Sequence, residues 1–165
     1  MWTILAKAAV QLAAAIAAGG LFTIPLAASL GGFDCASARE TATLTVRLTG
    51  FSSIEGELDV AVYADADSWL GRDPAARTRI PAGTQPAELV FEGLAPSIYA
   101  VFAWHDENSD GRLNSGPMRI PTERFGYSAG ARGRFGPASF DAAAITLESG
   151  MHHIEYIRLA GASGR

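Results

Sequence analysis

The sequence predicts an all-β fold, an antiparallel sandwich of two packed sheets built from about seven short strands. Three observations support this prediction. Apolar and polar residues alternate with a period of two along several segments after residue 40. Turns that contain glycine or proline separate these segments. No window after residue 40 has the spacing of a long amphipathic helix.

Six segments carry the strand pattern. In chain order they cover residues 41–49, 57–64, 88–92, 98–105, 140–148 and 152–159. The first alternates cleanly, with Leu44 and Val46 on one face and Thr45 and Arg47 on the other. The segment 98–105 is apolar on both faces, as expected of a strand in the middle of a covered sheet. Residues 69–77 are predicted to form a single helical turn.

Residues 1–38 are predicted to be a signal peptide that precedes the domain at 39–165. Lys7 is followed by a run without charge, and Ala36-Ser37-Ala38 is an A-x-A cleavage pattern. The alternative is an uncleaved anchor, because the run is long for a signal. Both interpretations place the domain outside the cytoplasm, in the periplasm or secreted. Membrane contact is expected only through an uncleaved N-terminal segment.

Composition narrows the class of protein further. The formal net charge is −4, which argues against a nucleic-acid partner. The single cysteine, Cys35, precedes the proposed cut, so the mature chain is expected to lack disulfides. Every basic residue after Lys7 is an arginine. We interpret this as a compositional bias rather than as a binding device.

Residues 106–137 form a long segment without a strand pattern between two predicted strands. We call this segment the excursion. A loop of this length in a compact domain is functional or has its own packing. Its aromatic residues predict that it folds back onto the sandwich as an ordered excursion at one end. The candidates for a binding surface are His105, Glu107, Phe125, Tyr127 and Phe135.

The beginning of the excursion resembles half of a calcium loop. Asp106, Asn108 and Asp110 alternate along the chain, and Gly111 allows a sharp turn. The candidate ligands are Asp106, Asn108, Asp110, the carbonyl of Arg112, Asn114 and Glu123, with Glu107 as the alternative to Glu123 for the bidentate carboxylate. Calcium is the one cofactor that the pattern suggests. The alternative is a loop of Asx turns, whose carboxylates cap backbone N–H groups and pair with arginines.

Other reactive residue types give weaker patterns. A zinc site would need the histidines to converge, but His152 and His153 are adjacent in a strand and face opposite sides. Ser128 lies in a G-x-S-x-G sequence. That motif needs the strand-to-helix turn of an α/β sheet, which this chain is not expected to form. We therefore expect neither a zinc site nor a nucleophilic serine.

Five spaced motifs carry a resemblance to a known family. They are HDEN at 105–108, D-G-x-L-N at 110–114, I-P-x-E at 120–123, G-Y-S at 126–128 and G-P-x-x-F at 136–140. In this order they resemble the family catalogued as domain of unknown function 2141. The chain departs from the family pattern at Ser97 and Arg119, where glycine is usual. The resemblance implies a secreted or periplasmic bacterial protein with a transthyretin- or immunoglobulin-like sandwich, and it implies no established activity.

Two functions remain open at this point. The first is a non-catalytic module that presents the excursion to an envelope protein or a glycan. The second is a small periplasmic hydrolase of the transthyretin-like kind, which would use His105 and charged residues of the excursion. Convergence of His105, Glu123 and an arginine in one pocket would favour the hydrolase.

Overall fold

The computed structural model describes residues 40–71, 73–134 and 136–161. The predicted signal peptide, with Cys35, lies outside the described residues, and so does Phe135. The strands are β1 Ala42–Thr49, β2 Glu57–Tyr63, β3 Ala76–Pro81, β4 Glu88–Leu94, β5 Ser97–Asp106, β6 Phe125–Tyr127, β7 Ala144–Leu147 and β8 His152–Arg158. One short helix, α1, spans Phe140–Ala143. Within these ranges no helix has the length and apolar character needed to cross a membrane.

Two sheets form the domain, which confirms the all-β prediction. One sheet has three strands in the order β4-β1-β8. The other has five strands in the order β3-β2-β5-β6, with β7 also paired to β5. Strand β5 is central, as its apolar faces predicted, and it pairs with β2 over residues 100–106. On its other edge it pairs first with β7 and then with β6.

One pairing differs from the predicted antiparallel arrangement. Strands β1 and β8 run parallel, with Thr43 opposite His152 and Thr49 opposite Arg158. A parallel pair needs a long crossover connection, because a short turn can join only antiparallel neighbours. Here the rest of the sandwich supplies that connection, since β1 is the first described strand and β8 is the last.

The core between the sheets is aliphatic, and we call it the inner core. Alternate residues of β1 and β2 point into it, as the period of two predicted. Its fully buried members include Ala42, Leu44, Val46, Leu58, Val60, Val62, Val101, Leu147, Ile157 and Leu159. Burying these side chains supplies most of the favourable free energy of folding.

Strand β3 was not predicted, and it includes the last two residues of the segment 69–77, for which a single helical turn was predicted; residues 66–70 do form a turn. Arg77 and Arg79 look unsuited to a strand by their own propensity, and they follow a loop. In the fold they lie opposite Ala61 and Asp59 of β2, respectively. Both guanidinium groups bind the buried Asp59 carboxylate. A tertiary partner therefore decides the local structure, which a propensity argument cannot detect.

The segment 140–148 was predicted as one strand, and this prediction is wrong for its first half. Residues Phe140–Ala143 form α1, and only Ala144–Leu147 continue as β7. The hydroxyl of Ser139 accepts a hydrogen bond from the Ala142 N–H at 3.3 Å and so caps the helix. A capped turn thus replaces the start of the strand, and the apolar pattern alone did not distinguish the two.

The excursion folds back over the outer face of the five-stranded sheet. It contains β6 and two 3-10 turns, at Pro117–Arg119 and Ser128–Gly130. The resulting second cluster, called the outer core here, is rich in aromatic rings. Its buried members are Ala61, Tyr63, Ala100, Phe102, Trp104, Tyr127, Ala138 and Ala143. The described residues of the excursion are therefore ordered, because they cover apolar residues of β2 and β5.

Candidate functional site

The Asp106 carboxylate anchors the first turn of the excursion. It is fully buried at the end of β5. One oxygen accepts from the N–H of Asp110 at 3.1 Å, and the other accepts from the N–H of Gly111 at 2.7 Å. Gly111 has a φ of 77°, a left-handed conformation that glycine adopts without strain. The side chain thus fixes the backbone of the turn.

The next two polar residues form successive Asx turns. The Asn108 side-chain oxygen accepts from the Asp110 N–H at 3.2 Å, and an Asp110 oxygen accepts from the Arg112 N–H at 2.9 Å. Desolvation raises the pKa of Asp110, but hydrogen bonds from Arg112, Asn108 and Asn114 outweigh it, so the pKa is lowered. The loop therefore holds Asp110 in its ionised form.

Glu123 closes the loop from the far side. Its side chain is buried, and its two oxygens accept from the N–H of Glu107 at 3.2 Å and from the N–H of Asn114 at 2.8 Å. The structure thus brings Glu123 to the same loop as Asp106, as the candidate ligand set required. Both carboxylates are engaged by backbone N–H groups rather than by arginine side chains.

The fit of a calcium ion to this loop is limited. A calcium site presents six to eight oxygens to the ion, but here Asp106, Asp110 and Glu123 aim their oxygens at N–H donors. The described part of the chain contains no group of three or more His, Cys, Asp or Glu side chains that could hold a metal. Calcium binding therefore stays a prediction.

His105 is fully buried on the inner side of the same strand end. Its Nε2 lies 2.7 Å from the carbonyl oxygen of Glu55, and its Nδ1 lies 3.1 Å from the Ser52 hydroxyl. A carbonyl oxygen only accepts, so Nε2 carries a proton. The Ser52 hydroxyl also bonds the carboxylate of Glu107. The imidazole thus ties the β1–β2 loop to β5.

The order of the groups around His105 does not activate the Ser52 hydroxyl as a nucleophile. In a catalytic triad the histidine lies between the serine and the acid. Here the hydroxyl of Ser52 lies between His105 and Glu107, and the second ring nitrogen binds a backbone carbonyl. Ser52 was not singled out in the sequence, because nothing in its neighbourhood marks it as a partner of His105.

The remaining reactive residues have structural partners. Ser128 is fully buried, and its hydroxyl accepts from the Val101 N–H at 2.8 Å and bonds the Ala143 carbonyl. His152 lies 2.8 Å from the Thr45 hydroxyl, whereas His153 lies 3.1 Å from the Glu155 carboxylate. The two adjacent histidines therefore have separate partners.

Two cavities lie over the outer face of the five-stranded sheet, and together we call them the outer cleft. The larger has a volume of about 1040 Å³, and its lining is mostly apolar. It is lined by Leu70, Phe102, Leu113, Ser115, Met118, Arg119, Ile120, Pro121, Phe125, Tyr127, Gly133, Arg134, Gly136 and Pro137. The binding-surface candidates Phe125 and Tyr127 are thus brought together, whereas His105 and Glu107 are not among the lining residues.

The smaller cavity, of about 200 Å³, shares Leu70, Phe102 and Leu113 with the larger one. Trp104 and Arg77 also line it, and the Arg77 guanidinium lies over the Trp104 ring, 4.9 Å from its centroid. This is a cation–π contact. This pair could not be predicted from the sequence, because the two residues meet only through the pairing of β2 with β3 and β5.

The charged residues around the cavities all have the same sign. A third cavity, of about 220 Å³, lies beside β6 and β8. The charged residues that line the three cavities are Arg77, Arg112, Arg119, Arg132, Arg134 and Arg158. On a chain of net charge −4 this is a local concentration of positive charge. The arginines were interpreted from the sequence as a compositional bias, and this concentration of charge was not predicted.

Comparisons with known proteins give a family and no named relative. No curated protein and no solved structure matches the chain. The model of one family, described as uncharacterized protein conserved in bacteria (DUF2141), matches residues 46–155. The match extends from β1 to β8 and includes the excursion with all of its turns. Because it covers more than half of the 165 residues, the chain belongs to the DUF2141 family.

Proposed function

We propose that this chain is a non-catalytic binding module of the bacterial envelope, located outside the cytoplasm, which presents its excursion to another envelope protein. The observation that carries the proposal is an exposed apolar projection at residues 118–121, called the lip here. Met118 is 86% exposed and Ile120 is 47% exposed. Large apolar side chains presented in this way mark interaction sites when they cluster.

The backbone of the lip supports a functional role. Met118 and Arg119 both have positive φ, 60° and 58°, although neither is glycine. Non-glycine residues in this region cost free energy and persist where the surroundings impose them. The Gly116 N–H donates to the Ile120 carbonyl at 2.8 Å, and the Thr122 N–H donates to the Asn114 carbonyl at 2.9 Å. These two backbone hydrogen bonds thus hold the lip in its projecting conformation.

The chemistry of the lip favours a protein over a glycan as the partner. Sugars stack on exposed aromatic faces, but Phe102, Trp104 and Tyr127 of the outer core are each less than a tenth exposed, and the exposed Tyr156 lies on β8 in the other sheet. The exposed apolar side chains of the lip are aliphatic or thioether groups, which suit an apolar patch on a protein. Arg119, which is also exposed and lies within the lip, adds a charge that selects an acidic rim.

The module is favoured over the transthyretin-like hydrolase. His105 has no exposed surface, and its ring nitrogens face Ser52 and Glu55. Glu123 is buried and holds two backbone N–H groups. Neither residue lines the outer cleft, so the three groups that a hydrolase would need do not meet there.

Site-specific photo-crosslinking in the native bacterium tests the proposal. A photoreactive phenylalanine analogue at position 118 of the full chain is expected to give a discrete higher-mass adduct with an envelope protein. The matched control is position 98, because Ile98 is 50% exposed and lies at the opposite end of β5. The same adducts from both positions, or none from position 118, would contradict the proposal. Met118→Asp should abolish the adduct from a crosslinker placed at position 120.

A further inference from the structure

The outer cleft has the dimensions of a small-molecule site, and the lip forms part of the lining of its larger cavity. That cavity, of about 1040 Å³, is slightly larger than the usual ligand pocket, which has a volume of about 300 to 1,000 Å³. Phe102 and Leu113 line both cavities, so an apolar chain placed on them reaches the smaller one. The smaller cavity therefore forms a polar end to an apolar cleft.

A buried donor without an acceptor lies beside this polar end. The Trp104 side chain lines the smaller cavity and is 6% exposed. Its indole N–H has no hydrogen-bond partner within the described part of the chain. An indole nitrogen can only donate, and leaving a buried donor unsatisfied costs free energy. A ligand atom that accepts a hydrogen bond here would remove that cost.

Two guanidinium groups at the polar end, those of Arg77 and Arg112, have nitrogens that are available to an anion. Arg77 uses Nε and Nη2 to bind the two oxygens of Asp59, which leaves its Nη1 for another acceptor. Arg79 binds Asp59 and lies 3.6 Å from Glu57. Arg112 contributes to the lowered pKa of Asp110 but forms no ion pair with a described carboxylate, so its guanidinium group is available to a ligand.

We propose that the outer cleft binds an amphiphile with one carboxylate on an unbranched apolar chain. The carboxylate accepts a hydrogen bond from the Trp104 indole N–H and pairs with the guanidinium groups of Arg77 and Arg112. The apolar chain lies in the larger cavity, against Phe102 and Phe125. This site goes beyond the proposed protein contact at the lip, because the carboxylate is bound at the smaller cavity, which none of the lip residues line.

Titration of the full chain with decanoate tests the proposal, and decanol, decyltrimethylammonium and a neutral-side-chain tripeptide with a free carboxylate serve as comparison ligands. Calorimetry is expected to show saturable binding of decanoate. Decanol should bind about tenfold more weakly or worse, because it lacks the charge-assisted hydrogen bonds. In ¹⁵N-labelled protein, the indole N–H signal of Trp104 should shift with decanoate. The Trp69 signal should stay, since that N–H already donates to the Ala138 carbonyl at 2.8 Å.

Two variants locate the carboxylate. Trp104→Phe keeps an aromatic ring but removes the donor, and Arg112→Gln removes the unpaired charge at an exposed position. Each should weaken decanoate binding about tenfold while leaving decanol binding unchanged. Arg47→Gln, which removes one positive charge from the other sheet, is the matched control and should change neither. If Trp104→Phe does not fold, the binding of decanoate and decanol to Arg112→Gln alone decides where the carboxylate lies.

Three results would overturn this inference. They are equal binding of decanoate and decanol, tighter binding of the tripeptide or the cationic amphiphile, and no binding at all. None of them affects the crosslinking result at position 118, which tests the protein contact at the lip. Conversely, decanoate binding without a specific crosslink would leave the cleft as a ligand site and remove the proposed contact.

Discussion

The inner and outer cores of this domain cover the two faces of the same sheet, yet they are built differently. The inner core is aliphatic and lies between two regular sheets. The outer core is aromatic and is covered by turns, a four-residue helix and a three-residue strand. It borders two cavities, and it contains a buried indole N–H without a partner among the described residues.

This difference indicates that the two faces of β5 have different roles. Regular strands bring alternate side chains into close packing, which maximises dispersion and hydrophobic burial. Irregular segments fill a sheet face less completely but can present polar groups toward a ligand. We infer that the inner core determines the stability of the domain, whereas the outer core is packed less completely and forms a site.

The largest expected effect is a loss of stability in the inner core. Leu58 is fully buried in β2, and Leu58→Ala should lower the free energy of unfolding by about 3 kcal/mol, through lost burial and an unfilled cavity. Leu113, which packs on the outer core but is only partly buried, is the control. Leu113→Ala should cost about 1 kcal/mol or less. Urea unfolding measures both, and equal losses would remove the distinction between the cores.

The inner core was largely predictable from sequence because its signal is local. The alternation in β1 and β2 identified both the strands and the residues that they bury. The two apolar faces of β5 also indicated that something covers the outer face. Strand β3 was missed because its arginines are stabilised by Asp59, a residue 18 positions away from Arg77. Only the pairing of strands reveals such a partner.

The site was predictable only in part, for the same reason. The Asp and Asn spacing identified a turn, and Glu123 was named as the residue that could close it. Among the described residues the Trp104 indole N–H has no acceptor, and this is a property of its surroundings that no sequence pattern reveals. The positive charge around the cleft likewise comes from arginines on separate segments, which only the fold brings together.

The second largest effect should come from removing the anchor of the excursion. Asp106→Ala leaves the N–H groups of Asp110 and Gly111 without their buried acceptor. We expect a loss of about 2 kcal/mol in the free energy of unfolding. The loss should be local, so amide hydrogen exchange should accelerate in the excursion more than in β1 or β8. Uniform acceleration across both sheets would show that the two cores are a single cooperative unit.

A smaller effect is expected at the junction of β5 with the end of the excursion. Ser128→Ala removes the acceptor of the Val101 N–H and the donor to the Ala143 carbonyl, all of which are buried. The expected cost is about 1.5 kcal/mol. Ser115→Ala, at an exposed position of the excursion, is the control and should be neutral. If Ser128 were a nucleophile, Ser128→Ala would change an enzymatic activity rather than the stability of the domain.

The smallest effect concerns calcium at the first turn. If Asp106, Asn108 and Asp110 bind calcium, the ion stabilises the folded state by about 1.4 kcal/mol at ten times its dissociation constant. For a domain of this size that is a few degrees in melting temperature. Millimolar calcium should then raise the melting temperature of the wild-type domain. Magnesium should raise it less, because it requires a stricter octahedron and loses water reluctantly.

Asp110 separates this prediction from the Asx-turn interpretation. Asp110→Asn keeps an oxygen for the Arg112 N–H but removes the charge that calcium needs, so it should abolish the calcium effect with little change in its absence. Asp110→Ala should abolish the effect and also weaken the turn. The pKa of Asp110 is lowered, so its contribution to stability is present above its ordinary value of 3.8 and is lost as the pH falls through the folded pKa. Identical melting curves in calcium and in chelator would leave Asp110 as a turn former, which orders the first turn of the excursion by accepting a hydrogen bond from the Arg112 N–H.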